Sequence, residues 1–155
     1  MAGSMEWLLL AYRMPREPST PRIAVWRKLG GLGVAKLGDG LVGLPADVRS
    51  QERLEWIADE VTEAGGEATL WKATLMSATA ERALAQTMAA AVAAEYRSLT
   101  AAAGEARAAG SVKVQTVARL RRELRRITQR DYFPPPEREE ARRAVESLIA
   151  EAAVR

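Results

Sequence analysis

The chain of 155 residues contains neither cysteine nor histidine. Without cysteine there is no disulfide to staple the fold. With both residue types missing, the commonest ligands for zinc, iron and copper are gone, and so is the usual proton shuttle near neutral pH. Serine triads, haem ligation and zinc chemistry are set aside on that ground, and no cofactor is expected. Long apolar runs are also missing. The longest near the start, Trp7 to Tyr12, falls far short of the ~20 residues that span a bilayer, and no lysine-flanked signal sequence precedes it. A cytoplasmic protein without membrane contact is expected. Met1-Ala2-Gly3-Ser4, ahead of a second methionine at Met5, reads as a vector remnant and is kept out of the fold argument.

What is present suffices for a core. A chain of this length buries roughly 68–70% of its unfolded surface, enough to do without disulfides or a structural metal. It fits one compact domain with an appendage. The net charge of +3 conceals a strong partition: residues 111–130 hold seven basic groups against one acidic, whereas residues 51–110 hold five against nine. An anionic partner is therefore sought first at 111–130.

The order of elements follows from periodicity and punctuation. Glu6 to Arg13 is a continuous apolar run of strand length, which predicts a central strand covered on both faces. Ser19 or Thr20 is placed to cap a helix from Pro21 to about Leu32, with Val25, Trp26, Leu29 and Leu32 at helical spacing and glycines 30, 31 and 33 as its stop. Val34–Leu37 and Leu41–Leu44 flank Gly38-Asp39-Gly40 as a hairpin. A helix from Ser50 to about Ala64 and a strand from Ala68 to Leu75 follow. Strand, helix, strand, strand, helix, strand is the ferredoxin-like βαββαβ order, an α+β fold on a four-stranded antiparallel sheet over residues 5–76. Residues 77–155 turn to alanine, glutamate and arginine and predict a three-helix carboxy-terminal extension, packed on or beside the sheet domain: about 79–108, 111–130 and 136–153, with Pro134-Pro135-Pro136 as a break.

Three groups of residues invite a functional reading. In the helix at 111–130, Val117, Leu120, Leu124 and Ile127 form a narrow apolar seam, and Arg119, Arg121, Arg122, Arg125, Arg126 and Arg130 populate the rest of the cylinder against Glu123 alone. Guanidinium groups match phosphate oxygens and release counterions, so this surface suits nucleic acid. It equally suits a solvated face paired with the acidic 51–110 segment and Glu137-Arg138-Glu139-Glu140. Secondly, Arg13, Arg16, Arg22, Arg27 and Lys28 surround a predicted helix amino terminus, where Arg13, Arg16 and Arg22 are candidate contacts for a tetrahedral oxyanion such as sulfate or phosphate. A capped turn with surface arginines explains the same residues. Thirdly, Trp7, Trp26, Trp56 and Trp71 suggest base stacking, but strand and helix-face positions favour core packing. Asp39 and Asp47 are the only carboxylates weighed for a metal-dependent hydrolase, and neither has a visible partner.

Certain blocks resemble a known family: the run from Trp7 through Arg16-Glu17-Pro18-Ser19-Thr20-Pro21 to Leu29, the Gly40 to Pro45 hairpin return, Gly65-Gly66-Glu67-Ala68-Thr69-Leu70-Trp71, and Arg130-Asp131-Tyr132-Phe133. They look like the amino-terminal domain of the ChrB chromate-resistance regulators, over nearly the whole chain from Trp7 to about Ile149. The resemblance implies a transcriptional regulator that represses a chromate-efflux operon and is released by chromate. Its partners would then be promoter DNA and chromate or a similar oxyanion. ChrB proteins continue into a second domain, so this chain is either a shortened form or a stand-alone relative. A weaker likeness runs to the ferredoxin-like middle domain of PaaX-type repressors and, through that fold, to small CRISPR-associated nucleases. Those nucleases carry an acidic residue where this chain reads Ala11-Tyr12-Arg13, which argues against phosphodiester cleavage.

Three functions are carried forward. The chain is a ChrB-like regulator that binds DNA, senses an oxyanion, or does both. Alternatively it is a protein-interaction or dimerisation module, with the 117–127 seam as its docking edge and a homodimer as one outcome. Last comes a metal-dependent nuclease-like enzyme using Asp39 or Asp47, and the expectation is that the chain is not an enzyme.

Overall fold

A computed structural model gives the fold and describes residues 5–154. Residues 1–4, read above as a vector remnant, lie outside the described residues. The chain forms an α+β structure with a four-stranded antiparallel sheet and five helices, divided into two compact units, one ending at Leu84 and one beginning at Ala85.

The first unit contains β1 (Trp7–Arg13), α1 (Ser19–Leu32), β2 (Ala35–Gly38), β3 (Leu41–Pro45), α2 (Val48–Glu63), β4 (Glu67–Ala73) and the first turns of α3 (Ala78–Ala108). Its strands lie in the order β2-β3-β1-β4, so β1 is an inner strand, as its apolar run predicts. Register aligns Leu8 with Leu44 and Lys72, and Leu10 with Val42 and Leu70. Side chains at paired positions point to one face, and α2 packs against β1 and β4 there. Leu8, Leu10, Val42 and Leu44 are buried, as are Leu54, Ile57 and Val61 of α2 and Val25 and Leu29 of α1. Each such side chain contributes about 1.5–3 kcal/mol when fully removed from water.

The opposite face departs from expectation. Leu9 and Ala11 are only half-buried, so β1 is fully covered on one side rather than on both. Leu9 and Trp71 share this open face with Gly43, where a Cβ would meet Leu9 Cδ2 at 3.0 Å and Leu37 Cδ1 at 3.4 Å. The continuous run looked two-sided because leucine serves both faces equally well in sequence.

The β2–β3 turn depends on Gly40. Its φ is +71°, its carbonyl accepts from Tyr12 N at 2.8 Å, and an added Cβ would lie 2.3 Å from Tyr12 O. α1 begins two residues earlier than predicted, with Pro18 in the capping position, and neither Ser19 nor Thr20 supplies a side-chain cap. Both hydroxyl residues already lie inside the helix, so they cannot bond back to its free N–H groups. Gly30 and Gly31 continue the helix, and Gly33, at φ +74°, ends it.

The second unit comprises the rest of α3 with α4 (Val114–Gln129) and α5 (Glu137–Ala153). Its core is Val92, Tyr96, Leu99 and Ala103 of α3, Val117, Leu120 and Ile127 of α4, and Ala141, Val145 and Leu148 of α5. The apolar seam of α4 is therefore consumed within this unit. Its use as a free docking edge is corrected on that ground.

Candidate functional site

On α4 the buried and charged residues separate cleanly. Taking 100° per residue, Val117, Leu120, Leu124 and Ile127 fall within an arc of about 80°, and Arg119, Arg121, Arg122, Arg125 and Arg126 spread over about 160° centred nearly opposite. All five arginines are exposed. Arg126 donates to Glu123 Oε2 at 2.9 Å. Among the described residues Arg119, Arg121, Arg122 and Arg125 reach no carboxylate within 4.0 Å.

Three of the acids expected to neutralise this face pair with other cations. Glu95 takes Arg130, Glu137 takes Arg97 at 3.8 Å, and Glu139 takes Arg142 and Arg143 on its own helix. The Arg142 guanidinium holds the Glu139 carboxyl below its usual range, so that acid stays charged and engaged. The face thus keeps four uncompensated positive charges over about 9 Å of helix axis.

The carboxyl end of α4 is fixed by a pair of adjacent contacts. Arg130 Nε donates to Glu95 Oε1 at 3.2 Å, and Tyr96 Oη donates to Asp131 Oδ2 at 2.8 Å. Two neighbouring residues of α3 therefore grip two neighbouring residues beyond α4. The Asp131 side chain is fully buried, Arg138 Nη1 stands 3.7 Å from its Oδ2, and its Oδ1 has no hydrogen-bond partner. Burial is the largest influence on the Tyr96 phenol and, reinforced by Asp131, pushes its pKa up to about 12. Sequence reasoning missed this arrangement, since nothing in the Arg130-Asp131 pair announces partners 35 residues away.

The front arginines sit on three successive segments. Arg13, Arg16 and Arg22 are all exposed, Arg13 ending β1 opposite Glu67, Arg16 in the following loop and Arg22 in the first turns of α1. Arg13 lines one shallow concavity with Tyr12, Asp39 and Glu67 and another with Pro15 and Gly65, and neither takes in Arg16 or Arg22. The two acids beside Arg13 oppose an anion at that point.

Of the tryptophans, Trp7 is buried and donates through Nε1 to Glu81 Oε1 at 2.9 Å. Core packing is corrected for the others: Trp26, Trp56 and Trp71 are 58%, 73% and 58% exposed. Position decides each case. Trp26 stands one residue round from the buried Val25–Leu29 stripe, with Lys36 Nζ 4.9 Å above its ring, and Trp71 occupies the open sheet face and donates to Thr69 Oγ1 at 2.8 Å. Trp56 instead lines a groove between α1 and α2 with Leu32, Ile57 and the Lys28–Glu60 ion pair, a feature the sequence reading did not foresee.

Asp47 has a structural task. It is the amino-terminal cap of α2, its Oδ1 accepting from Ser50 N at 2.7 Å, and Asp39 remains in the hairpin turn. The aspartate directly ahead of the Val48 to Ser50 turn was the available signal. Asp47→Ala should lower stability by about 1 kcal/mol, read as an earlier urea midpoint with an unchanged slope. An unchanged midpoint would show that the cap carries no weight.

No helix among the described residues is long and apolar enough to cross a membrane. No curated protein and no solved structure matches the chain at significant similarity. A family model described as "Protein ChrB, N-terminal" matches residues 22–109, from within α1 to just past the end of α3, leaving α4 and its arginines outside the match. With more than half of its length covered, the chain belongs to the ChrB amino-terminal family, which relates it to the chromate-resistance regulators.

Proposed function

We propose that the chain is a non-enzymatic regulatory module of chromate resistance that binds promoter DNA through α4. The observation that carries this reading is the set of four arginines, Arg119, Arg121, Arg122 and Arg125, left without carboxylate partners opposite the buried seam. Arg126 adds a fifth guanidinium, shared with Glu123. Such a surface tracks phosphates and gains affinity by releasing counterions. The order β2-β3-β1-β4, threaded as βαββαβ with α2 against one sheet face, supports the ferredoxin-like assignment of the first unit. Oxyanion sensing by Arg13, Arg16 and Arg22 is the weaker half of the proposal. It requires Arg16 and Arg22 to close over the anion without Arg13, whose neighbours are acidic.

The test titrates labelled duplex from the chain's own promoter, and an unrelated duplex of equal length, at two salt concentrations, then repeats the first with chromate and with sulfate. Four to five phosphate contacts give a log–log salt slope of about −3.6 to −4.5, so affinity should fall roughly 150-fold to 500-fold between 50 and 200 mM salt. Release by chromate and not by sulfate supports sensing within the chain. Indifference to both removes the oxyanion half of the proposal, and an absence of salt-dependent binding removes the DNA half.

A second reading has its own support. Trp71 and Leu37, 58% and 40% exposed, leave the open sheet face partly apolar, which fits a protein-interaction or dimerisation surface. Concentration-dependent sedimentation abolished by Trp71→Ser, with no DNA binding, is the outcome that favours it.

A further inference from the structure

The arginines of α4 are not equivalent in direction, and the difference separates reading from positioning. With Arg119 as origin, Arg126 lies about 20° away on the same edge of the helix, Arg121 and Arg125 lie together on the far edge at about 200° and 240°, and Arg122 stands between the edges at about 300°. Arg119 and Arg126 are separated by about 10 Å along the axis, Arg121 and Arg125 by about 6 Å. The buried seam fixes the rotation of the helix about its own axis, since turning it would bring Leu120 or Ile127, each 1% exposed, to the surface. Arg122 therefore holds the crest of the exposed arc.

The proposed DNA-binding role is the premise here. The geometry points to Arg122 as the residue that reads sequence, through a guanine edge in the major groove, with Arg119 and Arg126 on the phosphates of one strand and Arg121 and Arg125 on those of the other. A helix laid in a groove about 12 Å wide presents its crest to the base edges and its flanks to the two backbones. Of the arginines, Arg122 alone is both at the crest and unpaired, because Arg126 already shares its charge with Glu123. The guanidinium fork makes two parallel bonds to O6 and N7 of guanine, which a lysine replaces only as a point charge. Flank arginines meet phosphates, which are the same at every base pair, and add affinity without discrimination.

The experiment measures Kd of the full chain for the promoter duplex and for a shuffled duplex of equal composition, at three salt concentrations, for wild type, Arg122→Lys, Arg122→Ala, Arg119→Ala and Arg121→Ala. Arg122→Lys should lower the promoter-to-shuffled affinity ratio by roughly fivefold to 150-fold while leaving the salt slope on the shuffled duplex unchanged. Arg122→Ala should lower the ratio likewise. Arg119→Ala and Arg121→Ala should keep the ratio, weaken both duplexes together and reduce the slope by about 0.9 each. All these side chains are exposed, so circular dichroism should show every variant folded. An unchanged ratio in Arg122→Lys, a ratio lost instead in Arg121→Ala, or a wild type that binds both duplexes equally overturns the assignment alone. A wild type with no salt-dependent binding overturns the DNA-binding proposal as well.

Discussion

Replacing Arg121, Arg122, Arg125 and Arg126 together with alanine is expected to remove most of the salt-sensitive DNA binding while the protein stays folded. Four of the five exposed guanidinium groups of α4 are removed and Arg119 remains, so the salt slope should fall from about −3.6 to −4.5 in the wild type to about −1, and affinity at 50 mM salt by at least about a hundredfold. None of the four packs into the core of Tyr96, Leu120, Ile127 and Val145. Of the ion pairs among the described residues, the replacement breaks Arg126–Glu123, an exposed i,i+3 bridge whose removal costs a few tenths of a kcal/mol, about 0.3. Against that, like charges at 121/125, 122/125 and 122/126 repel across one helical turn, and alanine is the strongest helix former. Stability should therefore hold or rise slightly, which separates this variant from a misfolded one. A variant that stays folded and binds duplex with the wild-type slope would place the anionic contact elsewhere and favour the interaction reading through the open sheet face.

The expectation that acids neutralise these arginines was reasonable from sequence, because acidic residues stand in both α3 and α5. Local spacing explains why they do not. Glu139, Arg142, Arg143 and Glu146 lie at i,i+3 and i,i+4 separations on α5 and satisfy one another, a pattern legible in the sequence. Glu95 is taken by Arg130 through a contact that spans 35 residues, which no window of local sequence reveals.

The same division runs through the fold. Punctuation and period located β1, the hairpin, α2 and the three later helices, since glycine, proline and apolar spacing act within one turn or one strand. What period could not decide was which face is covered. Trp26 and Leu29 both fit an apolar helical stripe, yet one is 58% exposed and the other 2% exposed, because α1 meets its neighbours along a strip only one or two residues wide. Trp71 likewise fell on the sheet face away from α2. For the front arginines, local sequence did not reveal that Asp39 and Glu67, both distant in the chain, stand beside Arg13.

Tyr96→Phe is expected to lower the stability of the helical unit by about 1.5–3 kcal/mol at neutral pH, since it strips the hydrogen bond from a fully buried carboxylate. Asp131 Oδ1 already lacks a partner, and Arg138 at 3.7 Å is too far to replace the phenol. The phenol leaves a second signature. Its pKa rises from the ordinary value near 10 to about 12 in the fold, so the neutral form is the one the fold favours. The stability it contributes is complete below pH 10 and is lost as pH climbs from 10 to 12, because the unfolded chain releases that proton first. Urea midpoints measured across this window should fall steeply for wild type and less steeply for Tyr96→Phe, with absorbance reporting the delayed tyrosinate. The consequence reaches the candidate interface, because the Tyr96–Asp131 and Glu95–Arg130 contacts fix where α4 ends. Tyr96→Phe removes no charge, so at a salt concentration where it remains folded it should bind duplex more weakly with the wild-type salt slope. An unchanged affinity would mean that Arg130 and Glu95 suffice to hold the helix, and a changed slope would mean that the arginine face itself had been redrawn.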